Sequence, residues 1–213
     1  QNATAELHQL SDVVVILSRA FEYYAEAANV SQAVAVAAFP ITGVAWLIPG
    51  RNELIARALT LVPADSHEAG RLLSRYGEVL GVAESDYEGA EQALERAIVI
   101  ARREGDLPLE AQTLVYAATV SGRHLHWQKS VDHGLRAIEL AIGDESPFSA
   151  LAPRFSIVSS LLRMGELDAA RPQALVLRDM VERRSTPRSL ASRGFAPVTW
   201  LSCLEGDWTA GRE

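Results

Sequence analysis

The feature that most constrains how this chain can fold is a spacing. A large apolar residue followed three positions later by a small one occurs at Tyr87 with Ala90, Trp127 with Ser130, Leu167 with Ala170 and Trp208 with Gly211, at steps of 40, 40 and 41 residues. Leu107-Pro108, Ser146-Pro147 and Thr186-Pro187 keep the same period, at steps of 39 and 40. Each places proline at a helix start, where its missing N–H costs nothing. Two unrelated features sharing one period point to a repeat. A period near 40 with two helices per unit predicts an all-α fold, an α-solenoid of antiparallel helical hairpins.

Helices that stack need a face that admits a neighbour, and Ser85 to Asp106 (SDYEGAEQALERAIVIARREGD) has one. Ser85 reads as the N-cap and Glu88 as its capping-box partner. Ala90, Leu94, Ala97, Ile98 and Ala101 recur at steps of three and four and form one apolar stripe. Small Ala90 and Ala97 beside Leu94 let a second helix approach closely, and Gly105 ends the run.

The same reading extends along the chain. A helix is expected over 5–27, with Val14, Leu17, Phe21 and Tyr24 on one face, then a turn at Asn29 and a short helix over 31–39. The apolar segment Pro40 to Arg51 (PITGVAWLIPGR) interrupts the pattern before a short helix over 52–61. Trp46 and Leu47 there either cover the first hairpin or belong to a lid or docking loop. Residues 1–62 thus form an irregular N-terminal part of a single solenoid, and 63–213 the regular repeats. Asp65 and Glu68 read as a second capping box opening a helix from Ser66 to about Val82. Further helices are expected over 107–121, 126–142, 147–164, 167–183 and 186–204, with Gly143 as a stop and Pro172 tolerated in a first turn. The pattern breaks off inside a unit and no polar capping element is visible, so the 213 residues are expected to be a fragment. The exposed half-repeat is a candidate homodimer surface.

Several function classes are disfavoured. The formal net charge of −7 argues against direct nucleic-acid binding. No apolar run reaches the ~18 residues of a membrane span, and the N-terminus lacks the features of a signal peptide. The single cysteine, Cys203, fits a reducing, cytoplasmic setting, and the glycosylation-like Asn2-Ala-Thr4 and Asn29-Val-Ser31 have no secretory context. No phosphate-binding loop, zinc-protease, nucleophile-elbow or paired-cysteine motif occurs, so neither catalysis nor a cofactor is expected. His126 and His133 share a helix face near His124 but lack carboxylate or cysteine companions for a metal. Charged residues read as solvated helix faces, with Asp132 expected to pair with Arg136 and Arg178 with Glu182. Arg178, Arg183, Arg184, Arg188 and Arg193 gather around one turn, either as an ordinary solvated turn or as an anionic contact.

The run DYEGAEQALERAIVIARREGD resembles the second helix of a tetratricopeptide repeat, with Ala90, Leu94 and Ala97 at that motif's small-large-small positions. Ser130, Gly134 and Ala137 match again, and Ala170 and Ala174 match in part, although the period exceeds the usual ~34 residues. RALTLVPADSHEAGRLLSRYG, AIVIARREGD and LLRMGELDAAR are similar to helical-repeat regions of large bacterial signalling proteins. These are the ATP-binding transcriptional regulators of the LuxR type, including the maltose regulator, and multidomain adenylate cyclases. The resemblance implies an attached NTPase module and an attached DNA-binding or cyclase domain. It also implies first helices lining a concave surface and second helices a convex one. Arg75, Tyr76, Tyr116, Arg123, Arg154 and Trp200 lie off the core stripe of first helices. They are the candidate residues for a protein, peptide or small-effector partner, with burial between repeats the alternative for the three aromatics. A spacer between NTPase and output domains, without a ligand of its own, is the competing function.

Overall fold

A computed structural model describes residues 2–39, 50–141, 147–183 and 188–206. Among these there are ten α-helices and no strand: α1 (Asn2–Glu26), α2 (Val30–Ala37), α3 (Arg51–Leu59), α4 (His67–Val79), α5 (Tyr87–Glu104), α6 (Leu107–Arg123), α7 (Trp127–Leu140), α8 (Pro147–Met164), α9 (Leu167–Arg183) and α10 (Arg188–Leu204). The fold is all-α. The helices gather into two compact units, Gln1–Leu109 and Glu110–Glu213.

In the first unit α4 is buried on two sides because apolar residues occupy both of its flanks. Leu72 and Val79 join Phe21 of α1, Ala33, Val34 and Ala37 of α2, and Leu54, Ile55 and Ala58 of α3 in one core. Ala69 and Leu73 join Ala93, Ala97 and Ile100 of α5 in another, and Tyr76 packs against both. On α1, Leu17, Phe21 and Tyr24 all face the core as their spacing predicts. Outside it, Arg57 of α3 reaches back to α1. Its Nη2 donates to Glu22 Oε2 at 2.9 Å and its guanidinium lies 5.3 Å from the Phe21 ring centre.

The pairing of α4 with α5 is antiparallel and very close. A Cβ built on Gly77 would meet Leu94 Cγ at 2.5 Å, and one on Gly70 would meet Ile100 Cγ2 at 2.7 Å. Late α4 thus meets early α5, and early α4 meets late α5. The α5 stripe that predicts this contact, Ala90, Leu94, Ala97, Ile98 and Ala101, is buried throughout.

Both capping boxes need correction by one residue. Ser66, not Asp65, caps α4, its extended backbone aiming Oγ at the Ala69 N–H at 3.1 Å. Asp65 instead receives Arg103 on its backbone carbonyl. The N-cap of α5 is Asp86, whose Oδ1 accepts from Gly89 N at 3.0 Å. Ser85 cannot serve because α4 runs on as a π-helical segment, Leu80–Glu84, which Ser85 closes in the left-handed region at φ 58°. The side-chain N-caps of α4 and α5, Ser66 and Asp86, both have the extended backbone typical of such caps, and left-handed Ser85 does not. Glu88 remains in the first turn of α5, where the helix dipole favours its charge.

In the second unit Val131 of α7, Ile157, Val158, Leu161 and Leu162 of α8, Ala170 and Ala174 of α9 and Leu201 of α10 form one core. Ala90, Ser130 and Ala170, the small members of the periodic signal, each have 0% exposure. Ser130 is the polar one of the three. Its hydroxyl donates to the Ala118 carbonyl at 2.8 Å, which removes the cost of burying it. Gly134 repeats the role of Gly77, since a Cβ there would meet Ile157 Cγ1 at 2.7 Å. Helices α5, α8 and α10 are followed by left-handed glycines, Gly105 (φ 67°), Gly165 (φ 79°) and Gly206 (φ 79°), while α6 is followed by Leu125 at φ 66°. Pro153, Pro172 and Pro197 lie inside helices, and only Pro172 is anticipated by the sequence pattern.

Trp46, Leu47, Gly143, Arg184, Pro187, Trp208 and Gly211 lie outside the described residues, as do the side chains of Val14, Arg183, Arg188 and Arg193.

Candidate functional site

The six residues singled out from sequence have different surroundings. Arg75 and Tyr76 follow one another on α4 but point to different company. Tyr76 is half-buried in the two apolar cores beside Leu59 and Val62, whereas Arg75 belongs to a charged cluster. On α6, Tyr116 is only 2% exposed and its hydroxyl accepts from Gln112 Nε2 at 2.8 Å. Tyr116 is therefore a core residue, and its burial leaves no ring surface for a groove ligand. Arg123, in the last turn of α6, is exposed. Arg154 of α8 is partly buried, which pushes its guanidinium pKa below the usual arginine value. Trp200 of α10 is half-buried against the core of the second unit.

The charged cluster of the first unit is built by the packing of α3 on α4. Arg51, the first residue of α3, is 4% exposed, and its buried Nη2 has no hydrogen-bond partner among the described residues. Burial pushes its pKa down, and the Glu78 carboxylate on α4 pushes back. Arg75 Nη1 lies 3.5 Å from Glu78 Oε2, at the outer limit of a hydrogen bond. Burial lowers the Arg75 pKa first; Glu78 raises it, and the charges of Arg51 and Arg71 lower it further. The Glu78 carboxylate thus faces the buried Arg51 and the partly buried Arg75, with Arg71 near Arg75. At the same end of α3, Gly50 is the N-cap in a left-handed conformation and provides no side-chain acceptor for the first-turn amides.

In the second unit an aromatic and cationic stack forms where α7, α8 and α10 meet. The Arg163 guanidinium, from the last turn of α8, lies 5.2 Å from the Trp127 ring centre and 4.8 Å from that of Trp200. Arg163 Nη1 also donates to the Ser159 carbonyl at 3.0 Å, which fixes the fork. The arginine itself is exposed. A guanidinium between two indole faces gains cation–π attraction on both sides. Sequence reasoning singled out Trp200 and missed Arg163, although a signal was present. Arg163 stands two positions before left-handed Gly165, and Arg123 stands two positions before left-handed Leu125. The two arginines are 40 residues apart, the same step as the periodic sequence signal.

A third polar contact joins two helix starts in the first unit. Nε2 of His67, the first residue of α4, lies 2.7 Å from Oδ2 of Asp106, whose Oδ1 accepts from Leu109 N at 2.9 Å. Burial raises the Asp106 pKa, but the Leu109 N–H and His67 outweigh it, with Arg71 assisting, and hold the carboxyl below its usual range.

The expected pairing of Asp132 with Arg136 is replaced. Arg136 Nη1 reaches Glu139 Oε2 at 2.9 Å, and Asp132 accepts from Gln128 Nε2 at the same distance. A three-residue step matches helical geometry as well as a four-residue one, and the longer glutamate arm reaches the guanidinium more easily. Arg178 does meet Glu182, at 3.7 Å with both exposed. Among the described residues no group of three or more His, Cys, Asp or Glu side chains is arranged to hold a metal ion. Among the same residues no helix is long and apolar enough to cross a membrane. Comparison with protein-family models and with curated protein sequences finds no match to this chain.

Proposed function

We propose that the chain is a tetratricopeptide-like α-solenoid module that binds a protein, a peptide or a small effector and carries out no catalysis itself. The observation that carries this reading is the exposed Arg163 held between Trp127 and Trp200. Tryptophan and arginine are the residue types most often found as energetic anchors of interfaces. Stacking fixes the guanidinium before a partner arrives, so less side-chain entropy is lost on binding. The fork of Arg163 then suits a carboxylate or carbonyl on the partner, and the indole edges suit apolar side chains. The buried small residues that recur with the repeat period support the solenoid part of the reading. The resemblance to helical regions of LuxR-type regulators and multidomain cyclases supports a cytoplasmic signalling context with attached domains of the same chain. A spacer with no ligand is the second reading, and it assigns the stack a packing role alone.

Selection of a random peptide library against the chain, followed by titration of Arg163→Ala, separates the two. An interaction module yields peptides whose affinity falls about tenfold or more with the substitution. Binders wholly indifferent to Arg163 would favour the spacer.

A further inference from the structure

We propose that the partner of the Trp127, Arg163 and Trp200 stack is an internal peptide segment in which an aspartate or glutamate side chain is flanked by apolar residues. This rests on the reading of the stack as an interaction anchor, and commits that anchor to one chemistry.

The N–H fork of Arg163 is largely open. A guanidinium donates through a planar fork, and among the described residues one acceptor meets it, the Ser159 carbonyl at 3.0 Å from Nη1. No carboxylate among those residues forms an ion pair with it. Other exposed arginines of the second unit differ: Arg136 meets Glu139, Arg171 meets Asp168 and Glu205, and Arg178 meets Glu182. The contrast has a cause in the sequence. Helices α8 and α10 contain no aspartate or glutamate, and the first on α7, Asp132, accepts from Gln128. Glu205, just past α10, is held by Arg171, and Glu166 lies beyond the left-handed turn at Gly165.

The stack also restricts how the fork is filled. With indole rings packed 5.2 and 4.8 Å from the guanidinium, a polar partner has to approach along its N–H edge. A carbonyl oxygen there leaves the positive charge in place. A carboxylate matches the fork with two oxygens and neutralises it, through bonds about twice as strong as neutral ones. Apolar ground flanks the cation. Leu125, two positions before Trp127, is 69% exposed, and Leu204, one turn beyond Trp200 on the same face of α10, is 48% exposed. Exposed leucines beside half-buried indoles favour apolar side chains next to the acid.

The probe is a library of random peptides displayed without a free C-terminus and selected against the whole chain. Selected sequences should carry Asp or Glu beside apolar residues. For one such peptide with both ends blocked, calorimetry compares the acid with its amide, Glu→Gln or Asp→Asn. The change should weaken binding to the wild type about fivefold or more, and to Arg163→Ala by no more than about twofold. Should Arg163→Ala fail to fold, Arg163→Lys decides in its place: it keeps the charge but loses the fork, so the same loss should shrink to about twofold. Peptides that need Arg163 yet carry no acidic residue, or equal losses in wild type and variant, would overturn this inference and leave the interaction module standing. No selected peptide, or peptides indifferent to Arg163, would remove both.

Discussion

Replacing Gly77 by alanine tests the close approach of α4 and α5. The added Cβ would stand 2.5 Å from Leu94 Cγ, 2.9 Å from Leu94 Cδ2 and 3.0 Å from the Ala90 carbonyl oxygen. Carbon atoms in contact prefer about 3.5–4.0 Å, so an ångström or so must be found. Leu94 is buried and cannot swing into solvent, and the carbonyl oxygen belongs to the helix itself. Overpacking of this kind costs about 1–3 kcal/mol, while alanine in place of glycine inside a helix returns about 1 kcal/mol. The rigid backbone neighbour puts the cost toward the upper end, which leaves Gly77→Ala roughly 1–2 kcal/mol less stable. Urea unfolding followed by helical circular dichroism reads this as a lower midpoint at unchanged slope. The cause is isolated by repeating the substitution in a Leu94→Ala background. That change costs about 2–5 kcal/mol on its own, but it removes the two nearest atoms, so most of the Gly77→Ala penalty should vanish. An unchanged penalty there, or a stabilised single variant, would refute the packing argument.

Other substitutions probe separate features. Leu125 holds a left-handed conformation at φ 66° with 69% of its surface exposed, so Leu125→Gly should gain about 1 kcal/mol in a thermal melt. Asp106 has a folded pKa below its unfolded value, because the Leu109 N–H and His67 outweigh the opposing effect of burial. Its contribution is therefore complete above the unfolded value and is lost as pH falls through the folded one. Asp106→Asn should flatten the decline in stability below about pH 4, measured as denaturant midpoint against pH. Arg163→Ala should change stability by no more than about 1 kcal/mol, because its cation–π contacts are at an exposed site.

Most of the helices are legible from apolar spacing alone, because burial selects one face and that face recurs every three to four residues. Ala90, Ser130 and Ala170 are fully buried for the same reason. What escapes the sequence is set by tertiary packing or local backbone. The caps of α4 and α5 differ from expectation by one residue because the extended state of Ser66 and Asp86 and the left-handed state of Ser85 depend on how the preceding segment ends. Tyr116 reads equally as anchor or core until the helices around it are in place. Arg163 has a periodic signal through Arg123, but its meaning comes only when α7 and α10 bring two indoles to it. Arg51 gives no warning at all, since an arginine at a helix start is ordinarily exposed, whereas this one is 4% exposed.

Paired calorimetry and unfolding on the wild type and Arg163→Ala, with a peptide selected against the wild type, is the most direct test of an interaction module anchored on the Trp127, Arg163 and Trp200 stack. The prediction is affinity about tenfold or more weaker while unfolding free energy moves by no more than about 1 kcal/mol. Equal affinities, or a loss of binding that merely follows a loss of folding, would contradict it.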